Sequence, residues 1–374
     1  MHGDKPLTMT RTEQAWLRLY LTPGLGRVGT IRLIEAFGSP EAALAASPRA
    51  WTEQARVRPA VAASRPAEGD AVFIQTLETL DRLEVGIISL WDQHAYPEPL
   101  RSIYDPPALL FVRGKLPEQQ GLAVVGARRA SPDGIRLTRT LCRQIAAQGI
   151  SIVSGLARGI DRAAHEGALM VDGATVAVLG CGIDRVYPRE NEPLYFEILQ
   201  KGGAILSEYP PGTPPLAQHF PGRNRIISGM CRGVLVVEAA ARSGSLITAE
   251  FALEQGREVF AVPGPVNNPG NQGTNQLLKE GARLVTESAD ILDIFKPGCC
   301  PSEPPARPDP LLEKLSGQFL NVYRELQDSP LHLDELARKC GLTPMEVSAI
   351  LLHLELEDGA TQLPGMRFVR KRSL

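Results

Sequence analysis

Short apolar runs alternate with amphipathic stretches through the middle of the chain, between about residues 71 and 295. Eight of these runs have the length and composition of buried β-strands. They lie at residues 86–90, 109–113, 122–126, 150–154, 175–179, 204–207, 234–237 and 258–262. Helical patterns occupy most of the intervals between them. Because the runs are apolar on both faces, they predict a mostly parallel sheet covered by helices on each side.

This alternation is typical of an α/β protein, and we assign residues 71–296 to an extended Rossmann-like, doubly wound, mostly parallel sheet. The G-x-G-x-x-G fingerprint of dinucleotide-binding domains does not follow an early strand. No acidic residue stands where it would hold a ribose. The sequence therefore does not favour an NAD cofactor, and we predict no cofactor.

Residues 10–66 show helical patterns without strands. Two of these patterns, at 12–21 and 28–37, are separated by the turn TPGLG (22–26). The unit resembles a helix-hairpin-helix or SAM-like domain, whose turn can donate main-chain N–H groups to a nucleic-acid backbone. Only Arg27 and Arg32 supply charge near the turn, which favours a compact structural bundle over DNA contact. The Ala-, Pro- and Ser-rich stretch 58–70 is a candidate joint to the sheet.

The C-terminal part begins with a predicted semi-rigid linker at 297–310, within a stretch that contains six prolines. Helical runs at 311–326, 331–340 and 344–357, followed by a hairpin at 361–370, resemble a winged-helix domain over residues 311–374. The last helical run and Asp358 after it carry four acidic residues and no Lys or Arg, which favours a protein-contact or regulatory role over duplex binding. Four basic residues keep DNA contact open, namely Arg367, Arg370, Lys371 and Arg372.

Composition limits the classes of protein to consider. The chain has 374 residues, 43% of them hydrophobic and 22% charged, as in a soluble globular protein of two or three domains. Its formal charge of −2 excludes a polycation that attracts nucleic acid in bulk, but not a local basic cleft. Short apolar runs and an N-terminus unlike a signal peptide predict a cytoplasmic protein without membrane contact. Six cysteines without CxxC spacing predict reduced thiols and no metal site.

The stretch IVSGLARGIDRAAH (152–165) predicts a strand that enters a helix through a tight turn. At such a turn, main-chain N–H groups and the helix dipole attract an anion. Gly155 and Gly159 let the backbone approach that anion, and Arg158 adds a charged fork of donors. The turn alone favours phosphate binding, although small residues at such turns often serve packing only.

Ligands of open α/β sheets bind beyond the carboxyl ends of the strands. Five successive loops at this edge carry Arg, Ser, Gly or Asn and predict a crevice for several phosphates. The arginines predicted to hold phosphate are Arg128, Arg158, Arg189, Arg223 and Arg225. The predicted short-range donors and small residues are Ser154, Gly155, Asn224, Ser243, Gly244 and Ser245.

Three further side chains have two interpretations each. Phe220 is the best candidate to stack on an unpaired base, which would favour single strands, but it can equally be a buried loop anchor. Asp161 and His165 lie four residues apart on one helix face, a spacing compatible with acid–base chemistry or metal binding. Two groups do not make a metal site, and the helix dipole explains an aspartate in the first turn. We therefore predict no catalytic residue.

Six segments together resemble the signature set of the DNA-processing protein A family, DprA or Smf. They are VGARRAS (125–131), SGLARGIDRAAH (154–165), YPREN (187–191), FPGRNRIISG (220–229), VVEAAARSGSLITAEFA (236–252) and REVFAVPG (257–264). The resemblance spans about residues 96–282. It implies an extended Rossmann-like fold, single-stranded DNA as ligand, a homodimer, and loading of the RecA recombinase onto incoming DNA during natural transformation. It implies a recombination mediator that protects incoming DNA, not an enzyme.

The alternative from another class is a nucleotide-binding enzyme similar to the lysine-decarboxylase-like phosphoribohydrolases, which share this broad fold. Those enzymes carry a PGGxGTxxE motif after the equivalent strand. The corresponding segment here, EAAARSGSLITAE (238–250), keeps a glutamate at Glu250 but not the paired glycines. Hydrolysis of nucleoside monophosphates is therefore the disfavoured alternative.

Overall fold

The computed structural model of the chain describes residues 9–118, 121–295, 315–326, 330–357 and 359–370. The chain divides into two compact units, with the boundary at residues 302 and 303. The predicted linker at 297–310 lies outside the described residues. So do Lys371 and Arg372, and also Cys299 and Cys300.

All eight predicted strands are present in the first unit. A ninth strand, β9, is only two residues long and too short to show a pattern in the sequence. The strands are β1 (Val85–Ser89), β2 (Leu109–Gly114), β3 (Gly121–Val125), β4 (Ile152–Ser154), β5 (Thr175–Leu179), β6 (Ala204–Ser207), β7 (Cys231–Val236), β8 (Glu258–Ala261) and β9 (Arg283–Leu284).

The strand order in the sheet is β1-β2-β6-β5-β4-β3-β7-β8-β9. Neighbours from β6 to β9 pair in parallel, whereas β1 with β2 and β2 with β6 pair antiparallel, so the prediction of a mostly parallel sheet is confirmed. The chain winds outward from β3 to β6 and then returns to add β7 on the other side of β3. The winding direction therefore reverses between β3 and β7, which is where open α/β sheets bind their ligands.

Helices cover both faces of this sheet, as the apolar strands predicted. They are α6 (Ala71–Arg82), α7 (Glu98–Arg101), α8 (Pro132–Ala147), α9 (Ile160–Leu169), α10 (Glu192–Gln200), α11 (His219–Gly229), α12 (Gly244–Glu254), α13 (Gln272–Lys279) and α14 (Ala289–Phe295). One apolar cluster joins the strands to α11, α12 and α13. A second cluster joins them to α8, α9 and α14 on the opposite face. The helices of the first cluster bring the functional loops together.

The N-terminal helices share a core with the sheet. They are α1 (Arg11–Tyr20), α2 (Arg27–Phe37), α3 (Pro40–Ala45), α4 (Pro48–Gln54) and α5 (Pro59–Ala63). Trp51, Leu80 and Phe111, from this bundle, α6 and β2, are fully buried members of one apolar cluster. Trp16 stacks on Trp91 with 4.9 Å between ring centroids. The stretch 58–70, predicted as a joint, contains α5 and contributes to this shared core.

The second unit is a small winged-helix fold, as predicted. Its helices are α15 (Gly317–Glu325), α16 (Leu333–Cys340) and α17 (Pro344–Leu356), and its strands are β10 (Leu331–His332), β11 (Ala360–Leu363) and β12 (Arg367–Arg370). The sequence assigned Leu331 and His332 to the second helix, but they form β10, which pairs with β12. Thr343 and Glu346 form a capping box that begins α17.

Candidate nucleic-acid interface

A cleft opens at the switch point between β3 and β7. Its volume is about 240 Å³, below the ~300–1,000 Å³ typical of small-molecule sites, so it suits part of one nucleotide better than a dinucleotide. Val125 and Gly126 line it from the end of β3. The predicted site residues that line it are Arg128, Phe220, Arg223, Asn224, Ser243, Gly244 and Ser245.

The N-termini of two helices, α11 and α12, meet at this cleft. Ser243 is the N-cap of α12, and its Oγ accepts a hydrogen bond from the Ser245 N–H at 3.4 Å. Asn224 Nδ2 of α11 donates to the Gly244 carbonyl at 3.3 Å and so joins the two helix ends. Because the dipole of each helix places positive partial charge at its N-terminus, the two ends favour an anion between them.

Thr248 is a lining residue that the sequence analysis did not single out. It lies on α12, one turn after Ser245, and its side chain is 1% exposed. Among the described residues its Oγ1 has no hydrogen-bond partner. A buried hydroxyl at the wall of a cleft is usually paired, so a ligand oxygen would satisfy it. The S-x-x-T spacing from Ser245 was the signal available in the sequence.

Phe220 and Arg128 form one structural element at the mouth of the cleft. The Phe220 ring is half-buried, and a Cβ placed on Gly180 would lie 2.9 Å from it. The Arg128 guanidinium lies over this ring, 5.5 Å from its centroid, and Tyr187 packs at 5.8 Å. Arg128 is exposed and has no ion-pair partner among the described residues. The aromatic ring thus holds an unneutralised cation at the edge of the cleft.

Arg223 lies beneath the cleft and is only 5% exposed. Its Nη1 donates to the Gly155 carbonyl at 2.8 Å and also to the Val178 carbonyl. A Cβ at Gly155 would collide with this guanidinium, so a glycine is required there by close approach and not by a special φ. Arg223 therefore supplies positive charge from below while it joins the turn after β4 to the end of β5.

The turn between β4 and α9 differs from the expected anion site. Its main-chain N–H groups at Gly155 and Ala157 donate to Asp161 Oδ2, at 3.2 and 3.4 Å. Burial raises the pKa of Asp161, and the positive charge of Arg223 opposes that shift. The chain's own carboxylate thus occupies the place that the sequence analysis assigned to a phosphate. Gly159 has φ +70°, and a Cβ there would meet the Ala127 carbonyl, so its glycine serves this tight turn.

His165 is fully buried, and its Nδ1 lies 2.7 Å from Thr175 Oγ1. Burial, reinforced by the charge of Arg223, lowers the pKa of His165 to about 3. A neutral ring enclosed in this way cannot reach a ligand. His165 and Asp161 therefore fit the structural interpretation that the sequence favoured.

Arg158 and Arg189 lie outside the cleft. Both are exposed, and Arg158 pairs with Glu190 through Nε and Nη2 at 2.5 and 2.7 Å. An exposed pair of this kind exchanges partners at little cost, so Arg158 stays available to a ligand that passes along this surface. The structure thus places these two arginines beside the lining residues and not among them.

Two predicted site residues point elsewhere. Ser154 is fully buried, and its hydroxyl donates to the Val124 carbonyl at 2.6 Å. Arg225 is 9% exposed and pairs with Asp105 at 3.0 Å and with Glu208 at 2.6 Å. The prediction that these two residues contact phosphate is corrected, because the Ser154 hydroxyl and the Arg225 guanidinium already have partners inside the chain. Successive residues of α11 point in different directions, which separates Arg225 from Arg223.

Arg27, near the N-terminal hairpin, also has an internal partner, because it forms an ion pair with Asp105. The Tyr20 hydroxyl donates to the Glu208 carbonyl at 2.5 Å. These contacts connect the start of the hairpin to the sheet. They support the structural interpretation of the hairpin over direct DNA contact.

The features expected of the alternative enzyme do not converge on the cleft. Glu250, its candidate counterpart, is exposed on α12 and is not a lining residue. Within the described ranges, no three His, Cys, Asp or Glu side chains are grouped so as to hold a metal. Nor is any described helix both long and apolar enough to cross a bilayer.

Fold and cleft together define a Rossmann-like α/β protein with an N-terminal helical domain, a C-terminal winged helix and an anion-attracting switch point. Residues 87–296 match the family model for DNA recombination-mediator protein A. Residues 10–71 match the model of a DprA-like N-terminal HHH domain, and residues 303–366 match that of a DprA winged helix domain. The chain belongs to the DNA-processing protein A (DprA/Smf) family, which confirms the resemblance inferred from its motifs.

The similar proteins extend over most of the chain. Protein Smf of Escherichia coli is 45% identical over 288 residues, which are 75% of this chain and 76% of that protein. The crystal structure of DprA from Streptococcus pneumoniae superposes with a TM-score of 0.64 at 38% identity, covering 76% of this chain and 98% of that one. DprA from Helicobacter pylori, described as having a unique single-stranded DNA binding mode, superposes with a TM-score of 0.51 at 30% identity. The match covers 57% of this chain and 96% of that one.

Proposed function

We propose that this chain binds single-stranded DNA through the cleft at the switch point. The observation that carries the proposal is the convergence of two helix N-termini with the unneutralised Arg128 and the buried Arg223 on one small cleft. Phosphates of a strand backbone suit this arrangement because cations and the positive ends of helix dipoles both favour them. Described binding of single-stranded DNA by the Helicobacter pylori relative supports the choice of ligand.

The proposed contacts fall into two groups. Arg128, Asn224, Ser243, Gly244, Ser245 and Thr248 would meet one phosphate inside the cleft. Arg158 and Arg189, exposed beside it, would meet neighbouring phosphates of the same strand. Gly155 and Arg223 would support the floor. A strand that crosses this surface needs no catalytic group, and we propose that the chain is not an enzyme.

Membership of the family extends the proposal. We infer that the chain acts as a recombination mediator, which protects incoming single strands and loads RecA onto them during natural transformation. We also infer that it works as a homodimer. These steps need a surface for RecA and one for the second copy, and neither overlaps the cleft in this proposal.

The proposal is tested by measuring the affinity of Arg128→Ala for labelled single strands across a salt series. Loss of one phosphate contact should weaken binding to all sequences alike and reduce the slope of log K against log salt by about 0.7. Arg232→Ala is a matched control, since Arg232 is exposed at the amino end of β7, away from the cleft. Duplex DNA and AMP are the comparison ligands.

Two outcomes would contradict this reading. Equal losses in the Arg128 and Arg232 variants would mean that the cleft is not the binding surface. Release of ribose 5-phosphate from AMP that disappears in Glu250→Ala would favour the phosphoribohydrolase alternative instead.

Phe220 gives a second test, because its ring supports Arg128. Phe220→Ala should lower single-strand affinity by on the order of 1–3 kcal/mol if the ring stacks on a base. If it acts only by holding Arg128, its effect should vanish when Arg128 is already alanine. We expect this second pattern, since Gly180, Tyr187 and Arg128 already surround the ring. Additive losses in the double variant would show direct base stacking.

A further inference from the structure

The helix that follows the first strand of the parallel sheet is α8, which begins directly after the loop from β3. In dinucleotide-binding Rossmann domains, the N-terminus of the corresponding helix holds the pyrophosphate of the cofactor. This chain lacks the G-x-G-x-x-G fingerprint that admits a pyrophosphate there, but that absence does not say which group lies at the start of α8.

A carboxylate of the chain itself sits at this position. Glu238, just beyond β7, accepts a hydrogen bond from the Ser131 N–H at 2.8 Å through Oε2 and another from the Ser131 hydroxyl through Oε1. Ser131 is the N-cap of α8, and its Oγ also accepts from the Gly134 N–H at 3.0 Å. The Glu238 carboxylate therefore lies on the first turn of α8, where the dipole of a 16-residue helix favours negative charge.

Gly134 makes room for this carboxylate. A Cβ at Gly134 would lie 2.8 Å from Glu238 Cδ and 2.9 Å from Oε1. Glu238 is 9% exposed, so the carboxylate is enclosed rather than lying over the surface of the helix. The main chain of Glu238 is held as well, because its carbonyl accepts from the Ala127 N–H at 2.7 Å.

The next turn along the sheet repeats the arrangement. Asp161 accepts the N–H groups of Gly155 and Ala157 in the turn between β4 and α9. Two main-chain anion sites are thus filled by carboxylates from the chain, and one of them, at Asp161, lies in the wall of the cleft. The start of α12, at Ser243 and Gly244, lines the cleft, and no carboxylate of the described residues accepts a hydrogen bond there.

We propose that Glu238 is an internal substitute for phosphate, which closes the nucleotide position of the fold at α8 and leaves α12 as the place for a ligand phosphate. The first part concerns α8 alone. The second part rests on the proposed function, because it assigns the phosphate of a bound strand to α12. Glu238 is then a specificity-determining residue. A free nucleotide cannot place its phosphate at the start of α8, as it can in related folds, whereas a strand backbone needs only the start of α12.

The test is whether removal of the carboxylate uncovers a phosphate site. Thermal unfolding is followed for the full chain and for Glu238→Ala in inorganic phosphate from 0 to tens of millimolar, with chloride added to keep ionic strength constant. In chloride, the variant should be less stable than the unaltered chain. Once the phosphate concentration exceeds the dissociation constant, the folding equilibrium constant of the variant should rise in proportion to that concentration. The unaltered chain should not respond.

Two further variants separate charge from space. Glu238→Gln keeps the volume of the side chain, so it should lose stability without gaining a response to phosphate. Glu250→Ala, which removes an exposed glutamate from α12, should behave as the unaltered chain does. If Glu238→Ala does not fold in chloride, the yield of folded protein on refolding in phosphate against chloride gives the same answer.

An equal response of the unaltered chain and Glu238→Ala would show only a general salt effect and would overturn the proposal. So would a variant that loses stability and ignores phosphate. A titration of the unaltered chain with single strands is run in parallel. Failure of the unaltered chain to bind strands would count against the proposed function, whereas the phosphate response of the variant would still decide the role of Glu238.

Discussion

Arg223→Ala should lower the free energy of unfolding by about 3–5 kcal/mol, because it unpairs two buried carbonyls, at about 1–3 kcal/mol each, and removes a buried compensating charge. The change leaves the carbonyls of Gly155 and Val178 without their donor. It also removes the positive charge that most strongly opposes the rise in the pKa of buried Asp161. Urea denaturation followed by tryptophan fluorescence measures the loss.

A surface arginine provides the control for this experiment. Arg158→Ala removes a similar charge from an exposed pair with Glu190, and such pairs contribute about 0–1 kcal/mol. A loss below 1 kcal/mol in the Arg223 variant would mean that the guanidinium is a replaceable lining group.

Acid should destabilise the chain through His165. The pKa of His165 is lowered to about 3 in the fold, from 6.5 in an unstructured chain. Between these values the unfolded chain binds one more proton than the folded chain, so stability falls as pH falls. The slope is about 1.4 kcal/mol per pH unit, or about 2 kcal/mol between pH 6.5 and pH 5.

His165→Asn isolates this contribution, because asparagine retains a polar group near Thr175 and does not titrate. Below pH 6, unfolding of this variant should take up about one proton fewer, so its stability should depend less steeply on pH. Asp161 and Glu208, whose pKa values are raised by burial, act in the opposite direction and cancel when the two chains are compared. His94→Asn, at an exposed site, should keep the steeper dependence; an unchanged slope in the His165 variant would contradict the assignment.

Much of the fold could be predicted because the pattern of the sheet is strong. Every parallel strand of four or more residues contains an apolar run, and such runs identify buried strands. The two-residue strands β9 and β10 carry no such pattern, and β10 was assigned to a helix. The shared core of the N-terminal helices and the sheet was also missed, since packing between distant segments leaves no local signal.

The candidate site was predicted at the level of loops and only partly at the level of side chains. Topology brings the loops after β3, β4 and β7 to one edge, so residues chosen from them gather there. The sequence does not say which polar groups find partners inside the chain. Ser154, Arg225 and the N–H groups of the 155–157 turn are all satisfied internally, as most buried polar groups are. Arg128 differs because it is exposed at the cleft, with its guanidinium over the Phe220 ring.

The stacked rings of Trp16 and Trp91, one from the first helix and one from just beyond β1, have a practical meaning for dissection of the chain. A fragment that starts at the sheet would present freshly uncovered aromatic surface to water and would tend to aggregate. Heat or urea should melt the bundle and the sheet in a single cooperative step. The N-terminal helices therefore belong to the same cooperative unit as the sheet and are not an independently folding domain.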